Sequence, residues 1–181
     1  MRVVGGSLGG RVLRAPAGAD TRPTSEKVRE ALFNILGSVD ACEVLDLFAG
    51  SGAVGIEALS RGAAHVTFVD AAKAPVAAIR ANLAELGLAD RATIIVSDAI
   101  AAVTRPPRAP YRFVFVDPPY ASDLATRAVL AIPLEHLAPD ATIVIEHDRR
   151  HAPPETLGSL LRTDHRRYGD TLVSFYSRGS I

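Results

Sequence analysis

A single cysteine, Cys42, stands in the whole chain, which rules out an internal disulfide and any cysteine-rich zinc site. No apolar run reaches the about 18 residues that a membrane-spanning helix needs, and Met1-Arg2-Val3-Val4-Gly5-Gly6 has no signal-peptide core. A cytoplasmic location is the resulting expectation. The five histidines, His65, His136, His147, His151 and His165, show no metal-ligand spacing, so no metal is expected. Gly50-Ser51-Gly52 lacks the wider G-x-S-x-G pattern, which removes Ser51 as a hydrolase nucleophile. Repeats and low-complexity segments are absent, and formal net charge is zero, 20 basic against 20 acidic residues.

What remains is a chain of 181 residues, 48% hydrophobic and 22% charged, enough for one well-packed domain with a small appendage. The charges are unevenly spread. Residues 1–29 carry six basic groups against two acidic, residues 149–181 six against three, and the middle eight against fifteen. Basic ends around an acidic centre suit a polyanion held by the ends, and fit ordinary solvated surface equally well. Arginine outnumbers lysine 18 to 2, which suits bidentate phosphate contacts or simply reflects a GC-rich genome.

Val3-Val4, a glycine-rich stretch and Arg11-Val12-Leu13 read as a short hairpin. A helix follows, capped by Thr24 or Ser25, with Val28, Leu32, Ile35 and Leu36 on one face before Gly37. From residue 43 near-continuous apolar strands alternate with helices: 44–47, 65–70, 92–96, 113–116 and 142–146. That is the pattern of a parallel sheet covered on both faces. The chain closes with an antiparallel pair turning at Gly169-Asp170. Residues 1–38 therefore form an extension and 39–181 the main α/β domain.

Asp46, Asp70, Asp98 and Asp117 stand at or near the ends of four successive strands. Singly, each reads as a turn or helix-cap residue; together they mark the sheet edge where doubly wound folds bind ligands. Gly50-Ser51-Gly52-Ala53-Val54-Gly55 is a literal G-x-G-x-x-G between strand and helix, with Asp70 placed for ribose hydroxyls. Nicotinamide dinucleotides and S-adenosylmethionine both fit that much. Asp46 favours the latter, because it adds negative charge where a pyrophosphate would sit but an ammonium or sulfonium is welcome. Asp98 can accept from an adenine amino group.

Asp117-Pro118-Pro119-Tyr120 is the third discriminating feature. Consecutive prolines hold the chain rigid as it leaves the strand and remove two N–H donors. The Asp117 carboxylate and Pro118 carbonyl can then accept from an exocyclic amine, and Tyr120 can stack on its base. An exocyclic amine is a poor nucleophile until acceptors direct its lone pair at the methyl group. A paired base must first be flipped out. The residues leave open adenine-N6 DNA and protein-glutamine methylation, a non-catalytic RNA-binding assembly factor and, most remotely, a dehydrogenase.

The sequence resembles the bacterial RsmD-like family of guanine-N2 methyltransferases acting on 16S ribosomal RNA. The likeness rests on Arg2-Val3-Val4-Gly5-Gly6 with Gly10-Arg11, on residues 21–36, on 45–52 and 57–63, and on Asp117-Pro118-Pro119-Tyr120 and Tyr168-Gly169-Asp170-Thr171. Residues 22–36 are the most specific part, because generic methyltransferases of this fold lack them. The resemblance implies a class I, Rossmann-like methyltransferase with a mostly parallel seven-stranded sheet, an antiparallel C-terminal hairpin and a small N-terminal hairpin and helix. It implies S-adenosylmethionine bound by Asp46, Phe48, Ala49, Gly50, Ser51, Gly52, Asp70, Asp98 and Ala99, and released as S-adenosylhomocysteine. It further implies a guanine, number 966 of 16S RNA, in the 30S subunit or an assembly intermediate, with Asp117, Pro118 and Tyr120 catalytic. Arg2, Arg11, Arg22, Thr24, Lys27 and Arg29 would hold the RNA, and the protein would be a monomer. One departure is Asp70, often a glutamate in such enzymes, followed here by Ala71-Ala72 instead of polar residues.

Overall fold

A computed structural model describes residues 1–17, 25–118 and 123–179. Helix α1 (Glu26–Leu36) begins where the Ser25 side chain accepts from Val28 N–H at 3.3 Å, and it ends at Gly37. Of the two expected caps, Ser25 is the one used; Thr24 lies outside the described residues. The helix buries Val28, Arg29, Leu32 and Phe33, while Ile35, expected on that face, is 42% exposed.

The alternating pattern then unfolds as β1 (Glu43–Leu47), α2 (Ala53–Ser60), β2 (His65–Asp70), α3 (Lys73–Leu86) and β3 (Ala92–Val96). It continues as α4 (Ala99–Val103), β4 (Tyr111–Val116), α5 (Leu124–Leu130) and β5 (Leu137–His147). The chain finishes with β6 (Thr156–Leu157), β7 (Leu160–Tyr168) and β8 (Thr171–Arg178). The strand order is β3-β2-β1-β4-β5-β8-β7-β6. Strands β1 to β5 run parallel, and β8, β7 and β6 are antiparallel additions. This is the class I methyltransferase fold. The sheet has eight strands where seven were expected. The extra one is β6, two residues folded back onto β7 at Gly158, too short to leave a period in the sequence.

Alternate strand residues serve two cores. On one face Val44, Phe68, Phe113 and Phe115 pack with Phe33, Ile56, Leu59 and Ile79. On the other, Leu45, Leu47, Val114 and Val116 pack with Ala102, Val103, Ala128 and Val129 from α4 and α5. The first core also takes in Val3 and Leu13, so residues 1–17 are built onto it. Their expected hairpin is a single antiparallel bridge, Arg2 to Val12, around a 3-10 turn at Gly6–Leu8. Among the described residues no helix is long and apolar enough to cross a membrane.

Candidate active site

The chain reverses its winding between β1 and β4, and that gap opens at the carboxyl edge of the sheet. Leu47 pairs with Val69 and Val116, and Asp70 with Val96. Asp70 and Asp117 therefore sit level with Phe48, one on either side of β1. The other two acids lie at different depths. Asp46 is level with Phe68 and Phe115, two steps into the sheet, and Asp98 lies two residues beyond the end of β3. The edge gathers all four, at three levels.

The turn after β1 is forced and tight. Phe48, not a glycine, has φ 60°, a sparsely populated region that costs of order 1 kcal/mol. Ala49 N–H still donates to Val69 O at 3.0 Å, and Gly52 N–H closes the turn on Ala49 O at 2.7 Å. Gly52 is left-handed at φ 75° and begins α2. Gly55 lets α2 lie against β2: a Cβ there would be 2.3 Å from Phe68 Cε1. Gly50 N–H donates to Asp70 Oδ2 at 3.0 Å, while Asp70 Oδ1 accepts from Ala72 N–H at 2.9 Å. Among the described residues a Cβ at Gly50 would meet only Phe48 O, at 3.9 Å, so their arrangement leaves an open face on the Gly50 backbone beside the Asp70 carboxylate.

Asp46 lies beneath this turn, buried, with Oδ2 accepting from Gly55 N–H at 2.9 Å. Burial pushes its pKa up to about 7; the Gly55 bond opposes the shift and the neighbouring Asp70 charge adds to it. Asp98 is exposed and caps α4, its Oδ1 accepting from Ile100 and Ala101 N–H at 3.0 and 3.1 Å; Ala99, next to it, is buried. Asp117 continues the β1–β4 ladder, its N–H 3.5 Å from Leu47 O, and Asp117 and Pro118 are partly exposed at that edge. Pro119 and Tyr120 lie outside the described residues.

Comparison with known proteins decides the family. The family model described as "Conserved hypothetical protein 95" matches residues 1–177. "Putative rRNA methyltransferase YlbH" of Bacillus subtilis (strain 168) is 43% identical over 183 residues, covering 98% of this chain and 99% of its own. "Ribosomal RNA small subunit methyltransferase D" of Escherichia coli (strain K12) is 39% identical over 157 residues, 85% of this chain and 78% of its own. The solved structure titled "Putative methyltransferase yhhF from Escherichia coli" superposes with TM-score 0.86 at 34% identity, over 100% of this chain and 99% of that one. The chain belongs to the RsmD-like methyltransferase family.

Of the residues the RsmD-like resemblance assigns to RNA, Arg2, Arg11 and Lys27 are exposed, and Arg22 and Thr24 fall outside the described residues. Arg29 is a correction. Its side chain is fully buried, donates to Arg2 O and lies 3.9 Å from Glu57. It anchors the N-terminal segment from inside and has no surface to offer a phosphate.

Two residues of this RsmD-like chain escaped the sequence reading. Glu57, fully buried, accepts from Val4 and Gly5 N–H at 2.7 Å each and from Arg61 Nε at 2.9 Å. Asn82 accepts from Arg14 N–H at 2.8 Å and donates to Arg14 O and Ser51 O, both at 3.1 Å. Each had a legible mark: Glu57 is the one charged residue in α2, and Asn82 interrupts the apolar face of Ile79 and Leu83 in α3.

Proposed function

We propose that this protein methylates the exocyclic N2 of a guanine in 16S ribosomal RNA, guanine 966 by resemblance, with S-adenosylmethionine as donor. It would act in the cytoplasm, as a monomer, on the 30S subunit or an assembly intermediate. Its relatives named as ribosomal RNA methyltransferases support the substrate class. The observation that carries the reading is the position of Asp117-Pro118 at the end of β4, across the Phe48 turn from Asp70. An acceptor pair and a ribose-binding acid then flank one turn.

The residues present fit the cofactor. The open Gly50 backbone beside the Asp70 carboxylate suits an adenosine ribose, whose hydroxyls are donors. Asp46 beneath the turn suits a cationic methionine portion, and Asp98 an adenine amino group; Phe48, Ala49, Ser51, Gly52 and Ala99 shape the walls. When bound, S-adenosylmethionine supplies an electrophilic methyl group and leaves as S-adenosylhomocysteine. The chain's own work is orientation. Asp117 and the Pro118 carbonyl accept from guanine N2–H, with Asp117 in reach of N1–H, so that the nitrogen lone pair faces the donor. As N2 acquires the methyl group it gives up one proton, toward Asp117 and then solvent. Tyr120 would stack on the guanine. The extension, residues 1–38, would hold RNA through Arg2, Arg11 and Lys27, with Arg22 and Thr24.

The test is methyl transfer from labelled S-adenosylmethionine to 30S particles lacking the modification, followed by nucleoside analysis. N2-methylguanosine is the expected product. Label in N6-methyladenosine would move the protein to the adenine enzymes, and bound cofactor without transfer would favour a non-catalytic assembly factor.

A further inference from the structure

The C-terminal segment holds six arginines, and the structure divides them. Arg162 pairs with Glu155 at 2.9 Å, Arg166 pairs with Asp164 at 2.8 Å, and Arg178 donates to the Leu134 and Leu137 carbonyls. Arg149, Arg150 and Arg167 are exposed and make no ion pair among the described residues. These three line one cleft of about 640 Å³, between the segment after β5 and the β7–β8 hairpin, with Leu172 in its wall. Two acids share the lining. Asp148 is already engaged, accepting from Arg150 and His151 N–H at 2.7 and 2.9 Å and facing the His151 ring at 2.9 Å. Arg167 uses only Nε locally, donating to Gly169 O at 2.8 Å, so the outer edge of its guanidinium points away from that bond.

The cleft belongs to the same sheet edge as the candidate active site. Val116 pairs with Ile145, His147 with Leu172, and Leu172 with Arg167. Carried two steps past Val116, that ladder sets Pro118, His147, Leu172 and Arg167 on one rung. Three strand spacings then separate Arg167 from β4, roughly 14 Å. A nucleotide engaged at Asp117 would have its flanking backbone at about that distance, and three guanidinium groups with no ion pair among the described residues are a donor set for phosphate oxygens.

We propose that the Arg149–Arg150–Arg167 cleft binds the phosphodiester backbone of the RNA strand next to the target nucleotide. This rests on the RNA-methyltransferase reading and adds a second anchoring surface, on the far side of the active site from the N-terminal segment. The test compares the full-length wild type with R149A/R150A/R167A and with R149K/R150K/R167K. Binding to 16S RNA transcript is measured against KCl concentration, and methyl transfer to unmodified 30S particles in parallel. Each lost phosphate contact removes about 0.7 from the slope of log affinity against log salt for a single strand. The alanine variant should therefore lose roughly 2 in slope and show a raised KM for particles, with cofactor affinity and thermal midpoint unchanged. The lysine variant should recover most of the slope. An alanine variant with unchanged slope and KM overturns the cleft alone. A wild type that binds no RNA overturns the underlying reading and the cleft with it.

Discussion

Asp46 reads in the sequence as an acid placed for a cationic methionine portion, and its burial in the fold makes it a titrating group near neutrality. Its pKa in the fold, about 7 against an ordinary 3.8, means that folding favours the protonated form. The stability this contributes is complete below about pH 4 and is lost as pH rises through about 7. Asp46→Asn keeps an acceptor for Gly55 N–H but cannot ionise. We expect the variant to gain stability relative to wild type as pH rises from about 4 to about 7 and to keep that gain above it, as read by thermal unfolding of the ligand-free protein across that range. A difference that does not change with pH would overturn the assignment. Asp117 answers to a different measurement. Asp117→Ala should lower turnover by at least about 100-fold, the usual cost of one aimed polar group, while calorimetry still shows cofactor binding. Near-full activity would remove Asp117 from the mechanism.

At the scale of elements, the glycine turn is a joint between three parts. Strand β1 delivers it, α2 leaves it at Gly52 against β2, and Asn82 on α3 holds the Ser51 carbonyl from behind. The same Asn82 holds both polar backbone groups of Arg14, so the N-terminal segment and the glycine turn share one buried side chain. Asn82→Ala leaves the buried Ser51 carbonyl and two part-buried backbone groups of Arg14 without their partner, an expected loss of about 1–3 kcal/mol, together with weaker cofactor binding. Asn82→Asp keeps the acceptor for Arg14 N–H but loses the donor to Ser51 O. If the turn depends on that bond, titration calorimetry will show weaker cofactor affinity in the aspartate variant too. Unchanged affinity in both would make Asn82 a staple for the N-terminal segment only.

Across the whole molecule the N-terminal segment is part of the fold through Glu57 and Arg29. Burial pulls the Arg29 pKa down, opposed by Glu57 and Glu26, and the pair holds because Glu57 collects two backbone N–H groups and Arg61 as well. Removing one partner of a buried pair usually costs about 3–5 kcal/mol. Glu57→Ala should therefore lower the denaturation midpoint and open the segment to trypsin at Arg11 or Arg14. A variant as resistant as wild type would show that Val3 and Leu13 suffice to hold it.

The sequence by itself determined the alternating α/β order, the glycine turn, the acids at the strand ends and the Asp117-Pro118 step. These depend on short-range rules: side-chain period, capping, and the backbone freedom of glycine at tight turns. Only the tertiary structure decided which charges are surface. In the sequence Arg29 reads as an RNA-contacting residue and Arg162 as one charge of the basic C-terminal end. Arg29 is enclosed by Arg2 and Glu57, each far away in the chain, and Arg162 is paired with Glu155 across the β6–β7 turn; neither contact follows a helix or strand period. The same holds for the level of each acid, since Asp46 and Asp70 differ in depth through strand register alone. The basic C-terminal segment was legible as a composition. That three of its arginines meet in one cleft beside β5 followed from β8 pairing antiparallel with β5 and folding the β7–β8 hairpin back to the carboxyl edge.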